Sequence, residues 1–224
     1  MDNLKIATAQ FEHKSGDKKY NLSVIEQLAK KASQEGTRVM AFHECSVTGY
    51  TFARNLMRQQ LLDLAEYIPE GESICDLQKI AADTDMTLLA GLFEKDRDDK
   101  LYKAYVCVNR DGLVAKYRKL HPFINPFLNP GNEYCVFELY GWKCGILICY
   151  DNNIIENVRA TTLLGAEIIF MPHVTMCTPS PRPGAGFVDP VLWQNRHVDP
   201  TSLRLEFDGA KGRSWLMKWL PSRA

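Results

Sequence analysis

The chain has 224 residues, enough for one substantial domain with a buried core. Its 46% of hydrophobic residues is an ordinary globular value, and its 27 basic and 27 acidic residues leave no net charge. No basic patch and no apolar run of membrane-spanning length stands out, which argues against a nucleic-acid partner and against a membrane protein. The N-terminal segment lacks the layout of a signal peptide, so we expect a cytoplasmic protein.

The first half of the chain alternates strand and helix patterns. A strand is predicted in "LKIATAQF", and a helix follows in "NLSVIEQLAKKASQEG", with Asn21 or Ser23 as its N-cap and Gly36 at its end. The apolar strand "RVMAFHE" ends at Glu44, and "ESICDLQKIAADTD" and "MTLLAGLFE" predict a second helix and strand. This repetition indicates an α/β fold with a largely buried sheet.

The next part of the chain predicts pairs of adjacent strands. The segments "LYKAYVCVN" and "LVAKYRK" flank "RDG", a signal for a hairpin turn, and "YCVFELYG" and "WKCGILIC" form another pair. A helix from about Asn153 to Leu164 leads into the buried strand "EIIFMP". The sheet is therefore predicted to be mixed, with hairpins inside a βαβ layout.

Regular structure is predicted to stop after this strand. Residues 178–212 read as a long loop, with five prolines from Pro179 to Pro200, and a loop of that length is usually functional or mobile. Beyond it, Trp215, Leu216 and Trp219 form the apolar face of a predicted helix without an obvious partner. We therefore expect residues 1–224 to be a single domain that lacks a C-terminal piece.

The seven cysteines are scattered and include no CxxC pair, so a zinc or iron–sulfur site has little support. In a reducing compartment most of them are expected to be small buried hydrophobes. Cys149 differs, because it ends the apolar run "GILIC" and is followed by the abrupt turn "YDNN". It is either the last core residue of a strand or a nucleophile at the strand tip, whereas Cys144, earlier in the same strand, is expected only to pack.

Three strand ends share this character, since Glu44, Lys119 and Cys149 each follow an apolar run. Sites form at the strand tips of α/β sheets. A carboxylate there could take the proton of a thiol, whose usual pKa is about 8.5. A lysine ammonium could stabilise the developing oxyanion, with the backbone N–H of Tyr150 as second donor. On spacing alone, the glutamate could equally be a solvated strand-end carboxylate and the lysine a surface residue.

Three longer segments resemble the signature blocks of the nitrilase superfamily of carbon–nitrogen hydrolases: "HECSVTGY", "YRKLHPF…NPG" and "GILICYD…E…R…GAEIIFMP". The opening "KIATAQF" and the final "W…RA" fit the same family, so the resemblance covers essentially the whole chain. It implies an α-β-β-α sandwich with mixed sheets that is completed by packing into a homodimer or a larger assembly. It also implies that Glu44 is a general base, Lys119 an oxyanion-stabilising residue and Cys149 the nucleophile.

The chemistry implied by the resemblance is two-step acyl transfer without a metal or an organic cofactor. The thiolate attacks a carbonyl or nitrile carbon, ammonia or an amine leaves, and water then hydrolyses the thioester. Tyr150, His173 and Met176 are expected to line the substrate pocket. Asp151 is expected to tie the turn or to cap the next helix. His43 stands where the family commonly has proline, and it could reorient the glutamate or only fill space.

One departure from the family concerns a second glutamate, which many members carry between the lysine and the "PG". Here "LHPFINPFLNPG" contains no acidic residue. Asn125 and Asn129 could supply hydrogen bonds but could not act as a base, and Glu133 could fold back from just beyond the glycine. Reduced or altered activity is therefore an open alternative.

The residues after Cys149 bear on the substrate. Strict nitrile hydrolases usually have Trp-Glu there, so "CYD" favours the amidase and carbamoylase branches. Asn152 and Asn153 stand where D-amino-acid carbamoylases carry arginines, so a substrate carboxylate is not obviously accommodated. The long loop offers three arginines that could reach the site: Arg182, Arg196 and Arg204.

We therefore expect hydrolysis of a linear amide or N-carbamoyl group on a small molecule. Three alternatives stay open: a nitrile hydrolase, an amide acyltransferase, and a catalytically impaired assembly protein.

Overall fold

The structure is a computed structural model that describes residues 3–174, 191, 194–195 and 197–202. Residues up to Val174 form one compact unit, which contains all the helices and strands named below. Met176, most of the predicted loop at 178–212 and the predicted helix around Trp215 lie outside the described residues. The single domain over residues 1–224 therefore stays a prediction.

Within residues 3–174 the chain forms eight strands and four α-helices. The strands are β1 (Ile6–Ala9), β2 (Val39–Phe42), β3 (Thr87–Lys95), β4 (Leu101–Asn109), β5 (Gly112–Arg118), β6 (Cys135–Leu139), β7 (Trp142–Ile146) and β8 (Ile168–Phe170). The helices are α1 (Lys18–Gln34), α2 (Arg58–Leu64), α3 (Glu72–Thr84) and α4 (Ile155–Leu163). Two short 3-10 helices lie at Thr51–Asn55 and Cys149–Asn153.

The strands form two mixed sheets. The larger has the order β1-β2-β3-β4-β5, in which the first three strands are parallel and the β3–β4 and β4–β5 pairs are antiparallel. The smaller has the order β6-β7-β8, with β6 antiparallel and β8 parallel to β7. The predicted mixture of hairpins and parallel crossovers is therefore confirmed.

The sheets and helices stack in four layers. Along β4, Val106 and Val108 belong to a core shared with α1 and α3, whereas Tyr105 and Cys107 belong to a second core between the two sheets. This alternation is the period of two that a strand buried on both faces requires. α4 lies against the other face of the smaller sheet, where a Cβ on Gly145 would come within 2.5 Å of a Thr161 methyl. The α-β-β-α sandwich is thus confirmed within one chain, while packing into a dimer stays a prediction.

Several local predictions were wrong in detail. The N-cap of α1 is Asp17, whose carboxylate accepts the Tyr20 N–H at 3.0 Å, rather than Asn21 or Ser23. Asn21 is instead buried inside the helix, where its amide donates to the Val47 carbonyl at 2.8 Å. The helix predicted from Asn153 begins two residues later, because the 3-10 helix occupies the preceding turn. The helix α2 was not predicted.

Gly91 allows β3 to run close to the segment that carries Glu44. A Cβ at this position would collide with the Cys45 amide nitrogen and would lie 3.2 Å from the Glu44 carbonyl carbon. We expect Gly91→Ala to lower the free energy of unfolding by about 2 kcal/mol or more, because backbone must shift to make room. Urea unfolding measures this loss.

A matched control is Gly36→Ala. Nothing lies within 4 Å of the added methyl, and the change meets only the strain of a left-handed backbone with φ +76°, worth about 1 kcal/mol. Equal losses in the two variants would show that close approach at residue 91 is unimportant.

Candidate active site

Two lysines share the buried carboxylate of Glu44. The carboxylate follows β2 and is 1% exposed. The Lys119 ammonium, just beyond β5, lies 2.7 Å from Oε1, and the Lys103 ammonium of β4 lies 2.9 Å from the same oxygen. The backbone N–H of Val174 donates to Oε2 at 3.3 Å. Groups from β4 and from the segments after β2, β5 and β8 therefore meet at one edge of the sandwich.

The thiol of Cys149 lies close enough to this cluster for Glu44, Lys119 and Lys103 all to act on it electrostatically. Its backbone is left-handed, with φ +52°, and its N–H donates to the Pro172 carbonyl at 2.9 Å. A non-glycine residue with this φ marks a strained, tightly held turn. The three residues predicted from strand ends, far apart in sequence, thus lie together in space.

The charges around the site favour an ionised glutamate beside a protonated thiol. Burial by itself would raise the pKa of Glu44, but the ammonium groups of Lys103 and Lys119 outweigh it and hold the pKa below the usual value. Burial raises the pKa of Cys149, and the nearby carboxylate raises it further, although the two lysines oppose this. The thiol therefore needs a proton acceptor to react, and the ionised Glu44 carboxylate is the acidic group that acts on it.

Lys103 was not predicted from the sequence to be a residue of the site. It stands inside "LYKAYVCVN", where its neighbours predict a strand buried on both faces, and its side chain is 1% exposed. A lysine at such a position is almost never found without a charged partner, so it could have been identified as needing a carboxylate. Which carboxylate it meets depends on tertiary packing alone.

Asp151 ties the turn after Cys149 to the segment that carries Lys119. Its carboxylate is fully buried and accepts the Tyr117 hydroxyl at 2.8 Å, and the Leu120 and His121 N–H groups at 3.0 and 2.9 Å. These contacts agree with the structural role predicted for Asp151. Its hydrogen bonds tie the turn to β5 and to the residues after it, and they do not cap the next helix.

We expect Asp151→Asn to lower the free energy of unfolding by about 2 kcal/mol, because an amide presents donors to groups that need acceptors. Activity should fall as well, since the segment after β5 loses its anchor. The control is Asp96→Asn, in a surface turn after β3, where the carboxylate also accepts two N–H groups and the Tyr102 hydroxyl. Comparable losses of both stability and activity in the control would contradict a special role for Asp151.

Two of the three residues predicted to line the substrate pocket lie in the described part of the chain. Tyr150 is 41% exposed, and its ring packs edge-on against Phe123, with the centroids 5.0 Å apart. His173 lies 2.7 Å from the amide nitrogen of Asn152 and lines a cleft of about 300 Å³ near the ends of β1, β2 and β8. Met176 lies outside the described residues. Their contact with substrate stays a prediction.

His43 packs behind the glutamate. Its ring is buried, lies edge-on to Phe11 and comes within 3.1 Å of the His13 ring nitrogen. Burial lowers the pKa of His43 to about 4, so the ring is neutral near pH 7. The ring therefore packs as a neutral side chain between Phe11 and His13.

The loop after Lys119 is held by its asparagines. The Asn125 amide is buried and donates to the carbonyls of Ala53 and Leu56 at 2.8 and 2.9 Å, and Asn129 donates to the carbonyl of Leu101 at 3.2 Å. Glu133 is exposed. None of the three therefore takes the place of a second buried carboxylate.

Among residues 3–174 and the few described beyond them, no group of three or more His, Cys, Asp or Glu side chains is placed to hold a metal ion. No helix in the same part of the chain combines the length and the apolar character needed to cross a bilayer.

An α-β-β-α sandwich that gathers a carboxylate, a lysine and a thiol at its strand ends has the arrangement expected of a nitrilase-type protein. The sequence profile of the carbon–nitrogen hydrolase family matches residues 5–197, and the chain belongs to that family.

Individual relatives agree with this. A nitrilase from Pyrococcus abyssi is 35% identical over 182 residues, which are 80% of this chain and 68% of the relative. The omega-amidase NIT2 of Xenopus tropicalis is 29% identical over 176 residues, 73% of this chain and 61% of the relative. The crystal structure of Saccharomyces cerevisiae Nit3, a nitrilase-superfamily member, superposes with a TM-score of 0.66 at 26% identity, covering 75% of this chain and 64% of Nit3. The chain thus spans about two thirds of the length of these relatives.

Proposed function

We propose that the protein hydrolyses the non-peptide C–N bond of a small linear amide or N-carbamoyl compound through a thioester on Cys149. One observation carries the proposal: the thiol and two ammonium groups converge on a single buried carboxylate. A buried, ionised carboxylate beside a protonated thiol can take its proton and so make the sulfur a nucleophile. Membership of the carbon–nitrogen hydrolase family supports the reaction class.

In the first step, Glu44 takes the thiol proton as the sulfur of Cys149 attacks the carbonyl carbon. The oxyanion that forms is stabilised by the Lys119 ammonium and by the N–H of Tyr150. This N–H lies in the first turn of the 3-10 helix, where the helix itself offers no acceptor. The C–N bond then breaks, the leaving nitrogen takes the proton from Glu44, and a thioester remains.

In the second step, Glu44 accepts a proton from water as the water oxygen attacks the thioester carbon. The same donors hold the second oxyanion. Collapse breaks the C–S bond, the sulfur regains its proton from Glu44, and a carboxylic acid leaves. The pKa of the glutamate, held low by its two lysines, keeps it ionised at the start of each step near neutral pH.

An amide is favoured over a carboxylate-bearing ureido substrate. Asn152, at a position where D-amino-acid carbamoylases carry an arginine, is buried, and its amide lies 2.7 Å from His173. An asparagine in that place offers no positive charge to a substrate carboxylate. The second candidate is a nitrile, because the relative from Pyrococcus abyssi is a nitrilase. Assembly as a homodimer and a cytoplasmic location remain predictions.

Ammonia release from a panel of amides, N-carbamoyl amino acids and nitriles tests the proposal. We expect linear amides to release ammonia and to yield the carboxylic acid. If an added acceptor amine instead gives a substituted amide in place of the acid, the protein is an acyltransferase. Absence of release from every compound would contradict the proposed function.

Alkylation by iodoacetamide, followed by peptide mapping, separates an enzyme from an inactive assembly protein. Cys75 is exposed and serves as an internal reference for an ordinary thiol. Because iodoacetamide is itself a small amide, we expect Cys149 to react faster than Cys75 and the free amide substrate to protect it. Equal rates without protection would favour the assembly protein.

A further inference from the structure

Lys103 places more positive charge at the site than one carboxylate can balance. Its side chain is 1% exposed, its ammonium lies 2.9 Å from Glu44 Oε1, and it also stands 4.3 Å from the centre of the Tyr50 ring. Lys119 alone would already neutralise Glu44, and it is also fully buried. With both lysines and the glutamate ionised, the three groups carry one net positive charge in an interior where each ion costs several kcal/mol to desolvate.

We propose that Lys103 is a positioning residue that holds the Glu44 carboxylate by Oε1 and keeps it ionised in acid solution, so that the site stays active to lower pH. This inference rests on the proposed role of Glu44 as a base. Lys103 reaches the carboxylate from β4 and Lys119 from the end of β5, so one oxygen is held from two strands. The other oxygen faces the Val174 N–H at 3.3 Å.

The other titratable groups around Glu44 do not take over this role. The groups that face it are His43 and Cys45 from its own segment, Tyr50 from the following 3-10 turn, Lys103 from β4, Lys119 after β5 and Cys149 after β7. Burial raises the pKa of Cys45 to about 12 and raises the pKa of Tyr50, so both stay neutral. The two lysines are therefore the cations in contact with the carboxylate.

The direction of the effect follows from the sign of the charge. An ammonium in contact favours the ionised carboxylate and so lowers the pKa of Glu44, and Lys103 also lowers the pKa of Cys149 through space. Removing this charge raises both pKa values. As the pH is lowered, a protein without this charge should lose its activity at a higher pH than the unchanged protein, because Glu44 is protonated sooner. Its Cys149 thiol should also become reactive only at a higher pH.

The test compares Lys103→Met with Lys116→Met in the full chain. Lys116 also pairs with a buried carboxylate, Glu94, which keeps the two hydrogen bonds of Arg118 when the lysine is lost. In Lys103→Met we expect the acid limb of the pH profile of kcat/KM to move up by about one pH unit or more. The pH midpoint of Cys149 alkylation by iodoacetamide should move in the same direction, and both midpoints should stay in place in Lys116→Met.

A uniform loss of rate in Lys103→Met with both midpoints unchanged would overturn the proposal, because a lysine that only fills space acts equally at every pH. If the methionine variant does not fold, Lys103→Gln gives the same test, since it can donate to Oε1 without a charge. Alkylation requires no turnover, so its midpoint reports on Lys103 even if no amide releases ammonia, which is the result that would refute the proposed function.

Discussion

Cys149→Ala is expected to abolish ammonia release, with a loss of at least about a thousandfold in kcat, because it removes the thiol that is proposed to attack the substrate beside the ionised carboxylate. The change removes one sulfur from a half-buried position at a strand end, so the folded state should survive. Steady-state kinetics on the best amide of the panel, together with urea unfolding, measures both quantities. The variant should also accumulate no thioester when mixed with substrate and examined by mass spectrometry.

The matched control is Cys144→Ala, in the same polypeptide stretch. Cys144 is fully buried in β7, within the core between the two sheets, so its loss should cost some stability while kcat per folded molecule is retained. Turnover that persists in the Cys149 variant, or that is lost equally in the Cys144 variant, would refute the nucleophile assignment.

Lys119→Met is expected to lower kcat by a factor of about a hundred or more, equivalent to roughly 3 kcal/mol of transition-state stabilisation. The ammonium is the charged donor proposed for the oxyanion, and methionine retains much of the apolar stem without the charge. The variant should fold, because Lys103 still lies 2.9 Å from Glu44 and keeps that carboxylate paired. Kinetics should place the loss in kcat rather than in KM, since the oxyanion exists only during reaction.

Lys18→Met controls for the loss of a lysine from a buried carboxylate. Lys18 pairs with Glu66, which is buried and keeps the hydrogen bonds that it accepts from the Ser73 hydroxyl and N–H. This variant should be less stable but should turn over normally. A Lys119 variant with unchanged kcat and a raised KM would mean that the ammonium binds the substrate and does not stabilise the oxyanion.

Much of the fold was predictable because its signals are local. Each of the eight strands lies in a segment predicted as a strand or extends one residue beyond it, and the hairpin at "RDG" joins β4 to β5 as expected. Alternating or continuous apolar runs and turn residues act within a few positions, so they can be identified without knowing the rest of the chain. The smaller errors lay at helix ends. Asp17 caps α1 in place of the predicted Asn21, whose side chain instead donates to the buried Val47 carbonyl.

The sequence by itself determined which strand ends carry a carboxylate, an ammonium and a thiol, because each stands directly after an apolar run. Only the tertiary structure decided that a second lysine, Lys103, reaches the same carboxylate, and that Asp151 fastens the nucleophile's turn to the segment after β5. Those contacts join residues that lie 59 and 31 positions apart. No local pattern specifies such a pair, because the packing of one strand against another sets which buried charges and hydrogen-bonding groups must satisfy each other.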